Sequence, residues 1–490
     1  MSIAGEDILA SPEAGGKVIR GSALRIGGYG AGILLMGAAS VLLLRYLGVV
    51  EAGRYFTVMA LVAIAGTVAD AGLSAVGSRE LSLRTTEEGR SRLLANLLGL
   101  RLVITPIGIL GSLAFAIAAG YPREMVAGTA LAGAGLLLVT LQATLTIRLT
   151  VDLRQGRIAI FEVVKQAVTV GGIGALVLAA AALTPFFAVQ IAVGVVVIAL
   201  TPVIAGRRVM VAPRFDRDEW RWLVRQALPV AAAFVLGTLY FRVIILLMSL
   251  VSSPLEVGLF GTSLRIMETL AGVPVLIAGV ALPVLTAAAR DDRARLAYAL
   301  QRLTDVAVLV GVLAVLVTAI AADEVVTIIG GDAYRAAGDV LRIQVAALLG
   351  IFLSQLWSAG LIALHRQREL IAINGIALVA VGAMGALLVS LDGARGGALA
   401  TVLGDALLAA LLLMRLHHAD PNLRPKVRKP LRLALCTAIA VLPAFIPGLP
   451  ALVAAALTAV VFAVAVRATG VLPEELLSAF TLPGRRSAGR

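Results

Sequence analysis

Runs of about twenty apolar residues recur along this chain from Ile26 to Val466, and no other feature limits its possible folds so strongly. Each run is long enough, at ~1.5 Å per helical residue, to cross a hydrocarbon core of roughly 30 Å. Backbone amides and carbonyls find no water inside a bilayer, so a spanning segment must be a helix or part of a closed barrel. Barrel strands alternate polar and apolar residues over about ten positions. The runs here are continuous, which leaves helices. Composition agrees: 60% of the 490 residues are hydrophobic and 14% are charged, against about a quarter charged in soluble domains. Mean hydropathy is +0.99. The expected fold class is an all-α, polytopic membrane protein.

Charged or Pro/Gly punctuation places spans at 26–44, 55–77, 93–119, 124–147, 158–183 and 186–205, then at 226–250, 257–282, 303–321, 340–363, 370–390 and 396–414. Two shorter candidates, 433–447 and 449–466, bring the expectation to about fourteen transmembrane helices; with Pro443, Pro447 and Pro450 between them, a re-entrant hairpin is their alternative. Residues 1–25 are polar, and the apolar run after them exceeds a signal-peptide core, so it reads as a retained first span.

The 42 basic residues test this topology, because cytoplasmic loops carry the excess of Lys and Arg. With the N-terminus inside, outside loops hold only Arg45, Arg54, Arg123, Arg335 and Arg395. Arg101, Lys165, Arg242, Arg265 and Arg342 lie within spans, and every other basic residue falls on the cytoplasmic side. The expected arrangement is N-in and C-in, in the inner cell membrane. The net charge of +13 is then an orientation signal and an attraction to anionic lipid, not a nucleic-acid footprint, since aromatic interleaving is sparse. The outside loops are too short for a soluble domain, so activity must reside within the bilayer. Cys436, the single cysteine, cannot form an intrachain disulfide and reads as a small buried hydrophobe.

Two stretches 205 residues apart share an acid, a glycine two positions on and an aromatic: Glu51-Ala-Gly-Arg-Tyr-Phe56 and Glu256-Val-Gly-Leu-Phe260. Locally, an acid near a helix N-terminus suits the dipole and glycine permits close helix approach. Their matched positions argue for two six-helix bundles of the same orientation, as in transporters built from parallel repeats. The expected organisation is a cytoplasmic N-tail (1–25), an N-lobe (26–213), a C-lobe (214–415), and a C-terminal helix pair with a cytoplasmic tail (416–490).

The segment Leu44-Arg-Tyr-Leu-Gly-Val-Val-Glu-Ala-Gly-Arg-Tyr-Phe56, continuing to Ala69-Asp-Ala-Gly-Leu-Ser-Ala75 and Arg79-Glu80, resembles the opening helices of Wzx-type polysaccharide flippases. These belong to the multidrug/oligosaccharidyl-lipid/polysaccharide (MOP) exporter superfamily. Tyr240-Phe-Arg-Val243, Ser253-Pro-Leu-Glu-Val-Gly-Leu-Phe260 and Ala281-Leu-Pro-Val284 are similar to the family's seventh and eighth helices. The resemblance covers the organisation of residues 20–415. It implies two six-helix bundles in a V, alternating access, and movement of an undecaprenyl-pyrophosphate-linked glycan from the cytoplasmic to the outer leaflet through a cavity lined with cations. The family commonly carries a charged side chain well inside the first helix, whereas 26–44 here has none.

An ionised side chain at mid-membrane costs on the order of 2.5–3.5 kcal/mol even on the mildest scale, so each needs a partner or a purpose. Guanidinium forks match phosphate oxygens, which makes Arg242 and Arg265 the leading pyrophosphate ligands, with Arg101 and Arg45 as helpers. The competing reading pairs Arg265 with Glu268 one turn on, and Arg242 with an acid such as Glu268 or Asp305. Ion coupling would use Glu268, Asp305, Asp70 or Asp405, each of which also reads as an Arg partner or helix-end residue. No Walker-type glycine-rich loop is present, and His365, His417 and His418 fall in cytoplasmic loops. No metal site or cofactor is expected.

The function expected is a non-enzymatic flippase for a polyprenyl-pyrophosphate-linked oligosaccharide in cell-surface polysaccharide biosynthesis. It would act as a monomer in contact with membrane lipid, with polymerase machinery as a candidate partner and no nucleic acid. The alternatives are a cation-coupled multidrug exporter of the same superfamily and a membrane-embedded glycan-processing enzyme.

Overall fold

In the computed structural model the protein is described over residues 12–152, 154–206, 209–423, 425–426 and 429–471. Residues 1–11 of the expected N-tail and 472–490 of the expected C-terminal tail lie outside the described residues. No strand is present among the described residues. The helices are α1 (Pro12–Asp70), α2 (Leu73–Leu83), α3 (Glu87–Ala118), α4 (Arg123–Val151), α5 (Gln155–Leu178), α6 (Leu183–Ile204), α7 (Arg217–Val251), α8 (Pro254–Asp291), α9 (Arg293–Gly330), α10 (Ala337–Gln344), α11 (Ala347–Ala363), α12 (Gln367–Ala419), α13 (Pro430–Val441) and α14 (Ala451–Ala468). Eleven helical stretches among the described residues are long and apolar enough to cross a membrane. The chain is a multi-pass membrane protein.

The runs 26–44 and 55–77 are parted as expected, the two helices that make up α1 meeting at a kink at Gly48, where φ is 69°. Only glycine takes that value without strain. A second break at Ala71 and Gly72 (φ 40° and 70°) ends α1 at Asp70 and starts the short α2. Gly72 is needed twice over, since a Cβ there would sit 2.9 Å from Val230 Cβ on α7. The runs 370–390 and 396–414 are likewise parted, the two helices that make up α12 meeting at a kink at Asp392 and Gly393. The run 340–363 is divided into α10 and α11. The stretch 322–339, between the expected spans 303–321 and 340–363, is largely helical: α9 continues to Gly330 and a single 3-10 turn (Asp332–Tyr334) follows. Ala321, Ala322 and Val326 are buried there, so packing extends the helix past the apolar run.

Capping fixes other ends. The Thr86 hydroxyl accepts from Gly89 N at 3.2 Å to open α3. The Ser253 hydroxyl accepts from Glu256 N at 3.3 Å to open α8, with Pro254 following. Asp292 accepts from Ala294 N at 2.8 Å to open α9. Such caps satisfy amides that have no partner inside the helix.

The chain forms two compact units, Met1–Arg242 and Val243–Arg490. In unit 1, α1 packs on α3, α4 and α5, while α4 packs on α6. Phe186 and Phe187 of α6 are fully enclosed, one beside Ala39 and Leu43 of α1 and the other beside Val58, Val62 and Ala132. Without a hydrophobic drive between helices in lipid, close approach through small residues does much of the holding. Gly135 of α4 lies directly against the Gln190 backbone of α6. The first turns of α7 join this unit, with Leu223 and Ala227 packed among Leu73, Leu93, Leu97 and Ile147.

In unit 2, α11 is central and packs on α8, α9 and α12. The last turns of α7 also belong here: Ile244 lies against Gly385 and Gly397 of α12. The terminal pair α13 and α14 packs on α9 through Val308, Leu309, Leu433, Cys436, Phe462 and Val466. Glu324 of α9 completes that joint, its carboxylate accepting from Ala451 N at 2.7 Å and Leu452 N at 2.8 Å at the start of α14.

Candidate functional site

The charged residues set into the apolar helices fall into three environments. The first gathers four elements of unit 1 around Arg101. Arg101 is 1% exposed on α3. Its guanidinium donates to the Asp70 carboxylate at the end of α1, to Ser74 Oγ on α2 at 2.7 Å and to the Thr140 carbonyl on α4 at 2.8 Å. Ser74 also donates to Asp70 Oδ1 at 2.5 Å. The break at Ala71 and Gly72 makes this possible, turning the chain so that Asp70 and Ser74 present their oxygens to the same guanidinium. Burying a charge this completely is tolerated only with such multiple bonding. Arg101 is thus committed to a structural junction, and Asp70 with it.

The second environment is on α8. Arg265 lies about 16 Å along that helix from Pro254, at 1.5 Å per residue. Its side chain is 39% exposed, and Glu268, 29% exposed, stands at 3.7 Å on the next turn. The expected i,i+3 pair is present. A half-exposed ionised arginine inside an apolar span is expensive against acyl chains and acceptable against water. Arg242 is half-buried on α7, following the paired rings of Tyr240 and Phe241. Arg45 is exposed on α1, three residues before the Gly48 break.

The third environment holds the remaining acids of unit 2. Asp305 on α9 accepts from Gln301 Nε2 at 2.8 Å and stands 3.9 Å from Arg302. Gln301 in turn bonds both backbone groups of Lys426, tying α9 to the segment before α13. Asp405 is 2% exposed on α12, with Gly350 of α11 lying against its backbone. No group of three or more His, Cys, Asp or Glu side chains among the described residues is placed to hold a metal ion.

The matched stretches of the internal repeat do different work. Glu256 accepts from Ala394 N at 2.7 Å, bridging the α12 break at Gly393. Glu51 pairs with Arg54 at 2.8 Å, and Arg54 reaches Glu124 at 3.6 Å. Sequence reasoning missed the α9–α14 bond and the roles of Ser74 and Thr140. Of these only Ser74 left a signal, standing one helical turn beyond Asp70.

Residues 42–339 match the family described as polysaccharide biosynthesis protein. No curated protein matches the chain. Among solved structures, the lipid II flippase MurJ in an inward closed conformation aligns over 94% of this chain and 100% of its own, with a TM-score of 0.76 and 13% identity. An inward-facing multidrug resistance MATE family transporter of the MOP superfamily aligns over 79% of this chain and 94% of its own, with a TM-score of 0.65 and 17% identity. A MOP superfamily transporter from Pyrococcus furiosus gives a TM-score of 0.52 at 16% identity, covering 83% of this chain and 96% of its own. At these identities the likeness establishes the fold, a polytopic helical architecture shared with MOP transporters.

Proposed function

The chain belongs to the polysaccharide biosynthesis protein family, and from that premise we propose that it is a flippase for a polyprenyl-pyrophosphate-linked oligosaccharide. It moves the headgroup from the cytoplasmic to the outer leaflet of the inner membrane by alternating access, with the polyprenyl tail left in lipid. The reading keeps fourteen crossings with both termini in the cytoplasm, two six-helix halves at 26–213 and 214–415, and the added pair at 416–490. It acts as a monomer and hands its product to polymerase machinery.

The observation that carries this reading is Arg265, a guanidinium within an apolar helix whose side chain is 39% exposed. A charge held this way fits a wet chamber and an arriving anion, and a bidentate fork suits pyrophosphate oxygens. Arg242 is the second ligand and Arg45 a helper at the end of the path. Arg101 supports the site from a distance by holding its junction. Glu268 is the acid best placed for ion coupling, because its carboxylate stands beside the phosphate-binding guanidinium; Asp305 and Asp405 are secondary candidates, and Asp70 is engaged by Arg101.

The test is to replace Arg242 and Arg265 together by alanine and follow surface glycan alongside the amount of protein in the membrane. Export falling at least tenfold at normal protein levels is expected. Unchanged export defeats the assignment. The likeness to MATE transporters supports a second reading, cation-coupled drug export, which requires instead that drug efflux fall while surface glycan stays constant.

A further inference from the structure

Away from the membrane arginines, the end of α2, the start of α3 and the first turns of α7 line an open surface depression of about 410 Å³ in unit 1. Glu80, Arg84, Arg92, Glu219 and Trp222 line it. Two of these are spent on building its wall. Glu219 accepts from Arg84 Nη2 at 2.6 Å through one oxygen and from Asn96 Nδ2 at 2.5 Å through the other. Asn96, wholly buried, also accepts from Asp216 N at 3.1 Å, and its carbonyl accepts from Trp220 Nε1 at 3.1 Å. Arg214 N donates to the Ala95 carbonyl at 2.9 Å. The chain leading into α7 is thereby strapped to α3.

The other three groups have unused capacity. Among the described residues, the side chains of Glu80, Arg92 and Trp222 make no hydrogen bond or ion pair. They offer an acceptor, a donor and an aromatic face, with Trp222 38% exposed. The charge balance selects the ligand. Arg84 is neutralised by Glu219, so the free pair is one acid and one base. A pyrophosphate or an anionic lipid headgroup gains Arg92 but meets Glu80. A flat apolar ligand leaves both charges without partners. A sugar ring uses all three: its axial C–H groups carry partial positive charge toward the negative face of the indole, and its hydroxyls donate to the carboxylate and accept from the guanidinium. Ligand sites combine an apolar wall with a few convergent polar groups in this way.

We propose that this depression is a saccharide-binding site, with a pyranose ring stacked on Trp222 and its hydroxyls held by Glu80 and Arg92. Trp222 precedes Arg242 on α7 by a length of about 30 Å at 1.5 Å per residue, so the two sites are separate. That the ring is part of the transported glycan rests on the flippase reading; the binding itself does not.

Saturation-transfer NMR on the full-length protein in detergent tests it, with glucose, galactose, rhamnose and N-acetylglucosamine as separate probes. At least one sugar is expected to give a signal that falls fivefold or more in W222A and in E80Q, survives in W222Y, and is unchanged in the R242A/R265A double variant. No sugar signal above the W222A background overturns the proposal. So does displacement of the sugar by sodium pyrophosphate, which marks an anion site. Sugar signal intact beside undiminished glycan export in the double variant sinks the Arg242 and Arg265 assignment and leaves this site standing.

Discussion

Arg101 of unit 1 and Arg265 of unit 2 are both guanidinium groups within apolar helices, yet the protein treats them oppositely. The Arg101 side chain is 2% exposed and bonded to an acid, a hydroxyl and a carbonyl from three other helices. The Arg265 side chain is 39% exposed, with Glu268 of its own helix at 3.7 Å. The difference lies in what surrounds each group. Three-sided coordination fixes Arg101 as part of the scaffold, whereas Arg265 keeps about two fifths of its side chain accessible. A buried charge is evidence of function only once its partners are counted.

The largest effect expected of any single change comes from the locked side. Asp70→Ala leaves the Arg101 charge buried and uncompensated, a loss of about 3–5 kcal/mol, seen as a collapse of folded protein on heating in detergent. Replacing both residues with apolar ones (D70L with R101M) should recover most of that loss. Wild-type thermal stability in D70A would break the contrast between the two arginines.

On the open side the expectation is inverted. Arg265→Ala should leave thermal stability unchanged while transport drops. A hydrogen bond to a charged group contributes about 1.5–3 kcal/mol, and each ~1.4 kcal/mol is a factor of ten, so the loss is tenfold or more. Arg265→Lys keeps the charge without the fork and should fall between. A destabilised R265A protein would show that Arg265 is scaffold after all.

Two smaller changes sharpen the picture. Ser74→Ala removes one of the Arg101 acceptors and should lower stability by about 1 kcal/mol. Glu268→Gln should change stability by under about 1 kcal/mol, as half-exposed pairs do, and should tighten inorganic pyrophosphate binding several-fold in calorimetry by releasing Arg265 from its neighbour. Weaker binding in E268Q would mean that the carboxylate positions the guanidinium.

The sequence made the helices legible because hydrophobicity alone dictates spanning segments. It also made the Arg265–Glu268 pair legible, since i,i+3 geometry is local. The breaks at Gly48 and Gly393 fall where the sequence had already parted two spans, whereas the one at Ala71 and Gly72, inside the run 55–77, was hidden among fifty glycines. The Arg101 junction was out of reach for a different reason. Its partners come from helices whose facing sides depend on packing, and the positive φ at Ala71, which turns Ser74 toward Asp70, occurs at a residue with no propensity for it. The Glu324 bond to α14 was equally invisible, being a contact between a side chain and a backbone over a hundred residues away.

That last contact bears on how the chain can be shortened. The opening amides of α14 are the hydrogen-bond donors to both oxygens of an acid lodged beside apolar residues of α9. Trimming the chain before residue 451 would therefore strand a negative charge as well as uncover Val308 and Leu309, so such a truncation would injure the body of unit 2 and would not simply remove an appendage.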